Sequence, residues 1–325
     1  MSATEYIFIG GSYRTGTDLL RNTLNASPNI AICGETHFLG NPTTAAYMWR
    51  NIQNKADDTH DTAAGWGRLS PASRQQLAQV GDISTDTGLK KVVDYLYDDA
   101  ANVERAFWQW LPQHVERDVF LDKMLASDRS YRSLFSLMMR LYAQDKPIKG
   151  EKTPAHIHYV PTLLEWFPNA KFIHMFRDPR AIFLSQKKKK SNSGRVSASH
   201  RLLRQSEPVY ELYMSTSIIA QWLRVAQLHA YYQQRYPNNY YLLRFEDLVS
   251  APQEQLKRLC DFLGIAYTDA LLDADVVNSS FVQSGKVSGF DKSVADRWRN
   301  HIKPSTNKWF IFWCEKYLKQ FEYQV

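Results

Sequence analysis

Among 325 residues there are only three cysteines, Cys33, Cys260 and Cys314, and their spacing suits neither a metal site nor a disulfide framework. Reduced thiols of this kind fit a cytoplasmic protein. No uncharged apolar run reaches the roughly 18 residues that signal a membrane-spanning helix. The first strand-like run begins at Tyr6, which leaves no room for a secretory leader. The glycine-rich loop near the start lacks the lysine of a nucleoside-triphosphate P-loop, G-x-x-x-x-G-K-[ST], and no later aspartate is obviously placed to hold magnesium. What the chain does have is an ordinary share of apolar residues, 44 %, and a net charge of +7 that favours anionic ligands.

The chain is organised around Tyr6 to His37. Tyr6-Ile7-Phe8-Ile9 reads as a buried strand, Gly10-Gly11-Ser12 breaks it, and Arg14-Thr15-Gly16-Thr17 completes a tight loop. Leu19, Leu20, Thr23 and Leu24 then share one face of a helix that Ser27-Pro28 ends. Strand, loop and helix N-terminus together make an anion site. Backbone N–H groups converge there, and the helix dipole adds about half a positive charge. This stretch predicts a bound phosphate, with Arg14 supplying the side-chain charge.

From Asn41 to about Lys146 the parallel-sheet pattern is absent. Asn54 to Ser73 is polar and interrupted by Gly65, Gly67 and Pro71, which predicts a loop. Lys90 to Leu111 and Ser130 to Tyr142 carry apolar residues at helical spacing, and Trp108 and Trp110 are assigned to their core. Residues 41–146 are therefore expected to be a helical insertion within a single domain spanning 1–325, and the region that selects a substrate.

Chemistry returns at Lys149-Gly150-Glu151-Lys152-Thr153-Pro154, before an apolar helix carrying Ile157, Val160, Leu163, Leu164 and Phe167. A second strand, Lys171 to Phe176, then runs into Arg177-Asp178-Pro179-Arg180. Asp178 suits an N-cap and Pro179 the first helical position, so Arg177 stands at a strand's carboxyl end and Ser185 two turns into the helix. Ligands of open α/β sheets bind at that edge. An arginine fork and a hydroxyl there can hold a second phosphate. The Lys187-Lys188-Lys189-Lys190 run that follows is expected to be mobile, free to close over a ligand or to attract an anion.

These two turns resemble the two signatures of the sulfotransferases that use 3′-phosphoadenosine 5′-phosphosulfate (PAPS). The resemblance continues in Leu243-Arg244-Phe245-Glu246-Asp247-Leu248, Ser279-Ser280-Phe281, Gly285-Lys286 and Arg297 to His301. It covers Tyr6–His37 and Lys149–Phe321 but not the insertion. It implies an α/β fold with a P-loop-type central parallel sheet flanked by helices. It further implies that Arg14, Thr15, Gly16 and Thr17 hold the 5′-phosphosulfate, while Arg177 and Ser185, with Lys286, hold the 3′-phosphate. Cys33-Gly34-Glu35-Thr36 resembles the C-G-E-E-T of the tyrosylprotein branch, so Glu35 takes the place of the general base. Only one glutamate is present, and the pairing depends on where that gap is placed. Lys152 matches the lysine on the leaving group's bridging oxygen, and Ser279 a serine that contacts the sulfonate.

The expected reaction is sulfonyl transfer from PAPS to a hydroxyl acceptor, releasing 3′-phosphoadenosine 5′-phosphate, with no metal required. Carbohydrate, small-molecule or lipid, and tyrosine hydroxyls all remain open, as does the oligomeric state. A glutamate with a pKa near 4.3 is ionised at neutral pH and available as a base. His37, two residues on, is the rival base. Asp18 is unfavourable beside a phosphosulfate, and is left either turned outward or paired with a base such as Arg21. A P-loop kinase needing magnesium and ATP, and a nucleic-acid-binding protein using the lysine run, are the alternative readings.

Overall fold

The computed structural model describes residues 4–39, 80–97, 106–192, 203–273, 275–276, 287–288 and 290–325. Its centre is a five-stranded parallel sheet in the order β2-β3-β1-β4-β5. The strands are β1 (Tyr6–Gly11), β2 (Ile30–Cys33), β3 (Ile148–Lys152), β4 (Lys171–Phe176) and β5 (Tyr240–Arg244). The helices are α1 (Thr17–Asn25), α2 (Asp86–Tyr97), α3 (Ala106–His114), α4 (Arg117–Leu125), α5 (Tyr131–Ala143), α6 (Val160–Trp166), α7 (Pro179–Asn192), α8 (Glu207–Arg235), α9 (Phe245–Ser250), α10 (Pro252–Leu263) and α11 (Pro304–Gln320). Among the described residues no helix is long and apolar enough to cross a membrane.

β1 lies mid-sheet and is buried throughout, which its unbroken apolar run requires. Its side chains alternate between faces with period two. Tyr6 and Phe8 join a core with α2, α4, α5 and α6, whereas Ile7 and Ile9 join a second with α1, α9 and α10. A third core joins Phe176 to α7, α8 and α11. The insertion is helical where it is described, and the stretch from Lys90 to Leu111 falls in α2 and α3 where its residues are described. The expected loop from Asn54 to Ser73 and the side chain of Trp108 lie outside the described residues.

β2, β3 and β5 go beyond the strands read from sequence. β3 is Ile-Lys-Gly-Glu-Lys, too charged to look like a central strand, yet it pairs with both β1 and β2. Gly150 explains its fit, since a Cβ there would lie 2.0 Å from the carbonyl oxygen of Ile7. Pro154–Tyr159 forms a tight 3-10 turn before α6, where sequence spacing suggests a continuous helix. Every strand of this sheet ends at the same edge, with Glu35, Lys152, Arg177 and Glu246 in or just after β2, β3, β4 and β5, and Arg14 after β1.

Candidate active site

The loop from β1 to α1 makes its turn with residues that must leave the ordinary helical and extended regions. Gly11 has φ 148°, and a Cβ on it would lie 2.3 Å from the carbonyl oxygen of Met175; Gly16 has φ 91°, and its Cβ would strike the Phe245 ring at 2.5 Å. Between them Thr15 donates its hydroxyl to Ser12 O at 2.7 Å, and Arg14 itself adopts φ 69°. That unusual backbone turns the Arg14 side chain toward α7, where its Nε donates to Ser185 Oγ at 3.0 Å. The two anion motifs of the sequence thus meet.

Arg177 closes the same corner. Its Nη1 donates to Arg14 O at 3.1 Å, its Nη2 to Val294 O at 3.4 Å, and its guanidinium lies 4.0 Å from the centre of the Phe245 ring. Asp178 caps α7 and grips Arg180 through both carboxylate oxygens, at 3.0 and 2.7 Å. Arg180 also stacks 4.2 Å over Trp298 and donates to Gln324 O at 2.6 Å. The C-terminal segment is therefore latched onto the β4–α7 turn, an arrangement the sequence does not signal.

On the other side of β1, Lys152 and Glu151 occupy successive positions of β3 and so point to opposite faces. Lys152, only 2 % exposed, lies 2.6 Å from Glu35 Oε1 and 2.7 Å from Asp18 Oδ1. Asp18 thereby finds its partner in Lys152, while Arg21 bonds Asn22. His37 Nε2 lies 3.1 Å from the other oxygen of Glu35, so both candidate bases belong to one cluster. Burial pushes the Glu35 carboxyl up, but the His37 hydrogen bond and the Lys152 charge outweigh it and hold it at about 2.

Glu151 builds the support behind this cluster. Its Oε1 accepts from Thr36 N and Thr36 Oγ1, each at 3.0 Å, and from Thr153 Oγ1. Thr153 Oγ1 accepts in turn from His37 N at 3.3 Å, and His156 Nδ1 lies 2.8 Å from Glu151 Oε2. Burial raises the Glu151 pKa, and His156 with these hydrogen bonds brings it below the ordinary value. The loop bearing Glu35 is thus riveted to β3 by a buried carboxylate. Sequence reasoning selected Lys152 from E-K-T-P and passed over Glu151 and Thr153.

The lysine run lies at the end of α7: the helix continues through Asn192, and Lys187 lies 3.2 Å from both Glu207 and Glu211. Ser193 and Gly194 lie outside the described residues, as do Ser279 and Lys286. His174, read as structural, is fully buried against Tyr240.

Glu246 is a further titratable group of this edge. Its Oε1 accepts from Asp178 N and its Oε2 from Tyr323 O–H, both at 3.0 Å. Burial raises its pKa from 4.5 to about 7, against the opposing pull of Arg177. A raised carboxyl favours the folded state below its unfolded value, and that contribution is lost as pH climbs from 4.5 through about 7. The buried His158 and His229, lowered to about 3 and about 4 by burial, act in the opposite sense. The difference between wild type and Glu246→Gln isolates the one group. Thermal melts are expected to show the variant gaining roughly 1–2 kcal/mol relative to wild type between pH 5 and 8, the partial exposure of the side chain limiting the effect.

The model of the sulfotransferase family matches residues 6–269. The chain belongs to the sulfotransferase family. The omega-hydroxy-beta-dihydromenaquinone-9 sulfotransferase Stf3 of Mycobacterium bovis is 29 % identical over 135 residues, 41 % of this chain and 33 % of that protein. The match thus spans only a third of that relative's length. A Caenorhabditis briggsae protein provisionally named a protein-tyrosine sulfotransferase is 22 % identical over 270 residues, 82 % of this chain and 68 % of its own. Among solved structures, the sulfotransferase domain of the Synechococcus PCC 7002 olefin synthase superposes with a TM-score of 0.53 at 19 % identity, covering 100 % of this chain and 97 % of that one. That likeness speaks for the fold: a parallel P-loop-like sheet flanked by helices.

Proposed function

We propose that this sulfotransferase moves the sulfonyl group of PAPS to an acceptor hydroxyl, with Glu35 as the base. The observation that carries the reading is the Arg14 Nε to Ser185 Oγ hydrogen bond, which joins residues 171 positions apart and brings the two candidate anion-binding turns together. The chemistry of this corner suits the donor. Arg177 Nε is a buried donor without an acceptor among the described residues, and the Gly11–Gly16 turn has no room for extra side chains. Arg14, Thr15, Gly16 and Thr17 would hold the 5′-phosphosulfate, and Arg177 and Ser185 the 3′-phosphate. Lys286 would add to the second set, and Ser279 would join Lys152 at the transferring group; both roles come from the sequence resemblance.

The donor supplies an activated sulfonyl group, and the side chains do the rest. Sulfonyl transfer should resemble the loose, in-line transfer of a phosphoryl group, where positioning and charge stabilisation dominate. A sulfonate carries less charge than a terminal phosphate, so lysine and arginine can serve where a kinase needs magnesium. Glu35, held ionised by Lys152 and His37, is ready to take the acceptor's proton. The names of the relatives bring a lipid-borne hydroxyl and a tyrosine into view as acceptors, and we assign the choice to the helical insertion.

Calorimetric titration tests the donor site. Without magnesium, 3′-phosphoadenosine 5′-phosphate is expected to bind roughly 10–100-fold more tightly than AMP, because one added phosphate meets one charged donor. Arg177→Ala should erase that margin. Equal binding of AMP, or binding of ATP alone and only with magnesium, would overturn the reading in favour of a kinase.

A further inference from the structure

We propose that Asp18 makes the donor site selective for a singly charged sulfonate over a doubly charged phosphate, an inference that rests on the donor reading above. Asp18 stands in the first turn of α1, where the helix dipole and the loop amides would otherwise act on the ligand alone. Its Oδ1 is 2.7 Å from Lys152 Nζ, and the same ammonium is 2.6 Å from Glu35 Oε1. An ammonium has three N–H donors. The two carboxylates take two and leave the third for the transferring group, so Asp18 can stay in place when a donor binds.

Its charge then matters. Arg14 and Lys152 bring two positive charges to this corner, Asp18 and Glu35 bring two negative ones, and both carboxylates act on Arg14. The four side chains sum to zero. A cation already neutralised by two carboxylates has little left to offset extra charge on a ligand, and a nearby carboxylate repels each added negative charge. A terminal sulfonate carries one such charge, whereas a terminal phosphate carries roughly 1.5 to 2 at neutral pH. A serine or threonine at position 18 would leave Lys152 with an uncompensated share of charge and remove the penalty. This is a physical use for the carboxylate that looks misplaced in the sequence.

The probes are PAPS and 3′-phosphoadenosine 5′-diphosphate, which differ only in the terminal group. Their affinities for the full chain are measured by calorimetry at neutral pH. Wild type is expected to prefer the sulfonate by about tenfold or more. Asp18→Asn keeps the side chain's shape and can still accept from Lys152; it should narrow the ratio about tenfold, mainly by binding the diphosphate more tightly. Asp18→Ser should do the same, and it guards against a local distortion peculiar to asparagine. An unchanged ratio in both variants, each still binding PAPS, overturns the selectivity and leaves the donor reading standing. Failure of wild type to bind either compound overturns both.

Discussion

Glu35→Gln is expected to bind 3′-phosphoadenosine 5′-phosphate as wild type does and to lose about 10²–10⁴-fold in turnover. Glutamine occupies the same volume, and its carbonyl oxygen can still accept from Lys152, so the corner built by Asp18, Lys152 and the 36–39 loop should persist. What disappears is the carboxylate that His37 and Lys152 hold ionised down to about 2. The measurement is kcat with an acceptor found by screening phenols, sugars and lipid alcohols against wild type. Turnover retained in Glu35→Gln would move the proton-accepting role to His37, which touches the same carboxylate.

Lys152→Met is expected to have two consequences that separate in a pH profile. Methionine retains most of the apolar stem in a site only 2 % exposed, but removes the ammonium. Loss of one preorganised donor to the transferring group should lower kcat by about 10²–10³-fold. Removing the cation also takes away a force that keeps Glu35 ionised. Burial, already the largest influence on that carboxyl, then drives its pKa upward, with repulsion from Asp18 acting in the same direction. The acidic limb of kcat against pH should therefore move to higher pH in Lys152→Met, whereas in wild type Glu35 imposes no limb near neutrality. A uniformly lowered profile with no shift would contradict the coupling of Lys152 to Glu35.

The parts of the site legible in the sequence were those whose signal is local. A strand, a glycine turn and a capped helix lie within one stretch at Tyr6–Asn25, and again at Lys171–Ser185, so periodicity and turn chemistry expose them. The partners that complete the site are not local. Asp18 meets Lys152 from 134 positions away in the chain (152 − 18 = 134), and no spacing rule announces such a pair. β3 escaped because a strand with Lys, Gly, Glu and Lys in it contradicts the apolar signature of a central strand. β3 tolerates buried charges because Glu151 and Lys152 each find a partner, His156 and Glu35, at the carboxyl edge of the sheet. The latch of Tyr323 and Gln324 onto Glu246 and Arg180 was hidden for the same reason of distance.

The three cysteines, which entered as a sign of what the chain lacks, are distributed one to each hydrophobic core: Cys33, Cys260 and Cys314. All three are buried, and burial pushes their thiols up, Cys260 to about 11 and Cys314 to about 12, with Cys33 well above its ordinary value. Reaction with an alkylating reagent requires a thiolate in contact with solvent, so each sulfur stays silent until its own layer opens. The protein thus carries three native unfolding reporters. Mass-resolved alkylation in mild denaturant would time the opening of the insertion face, the α1 face and the α7–α11 layer separately, without a single introduced label.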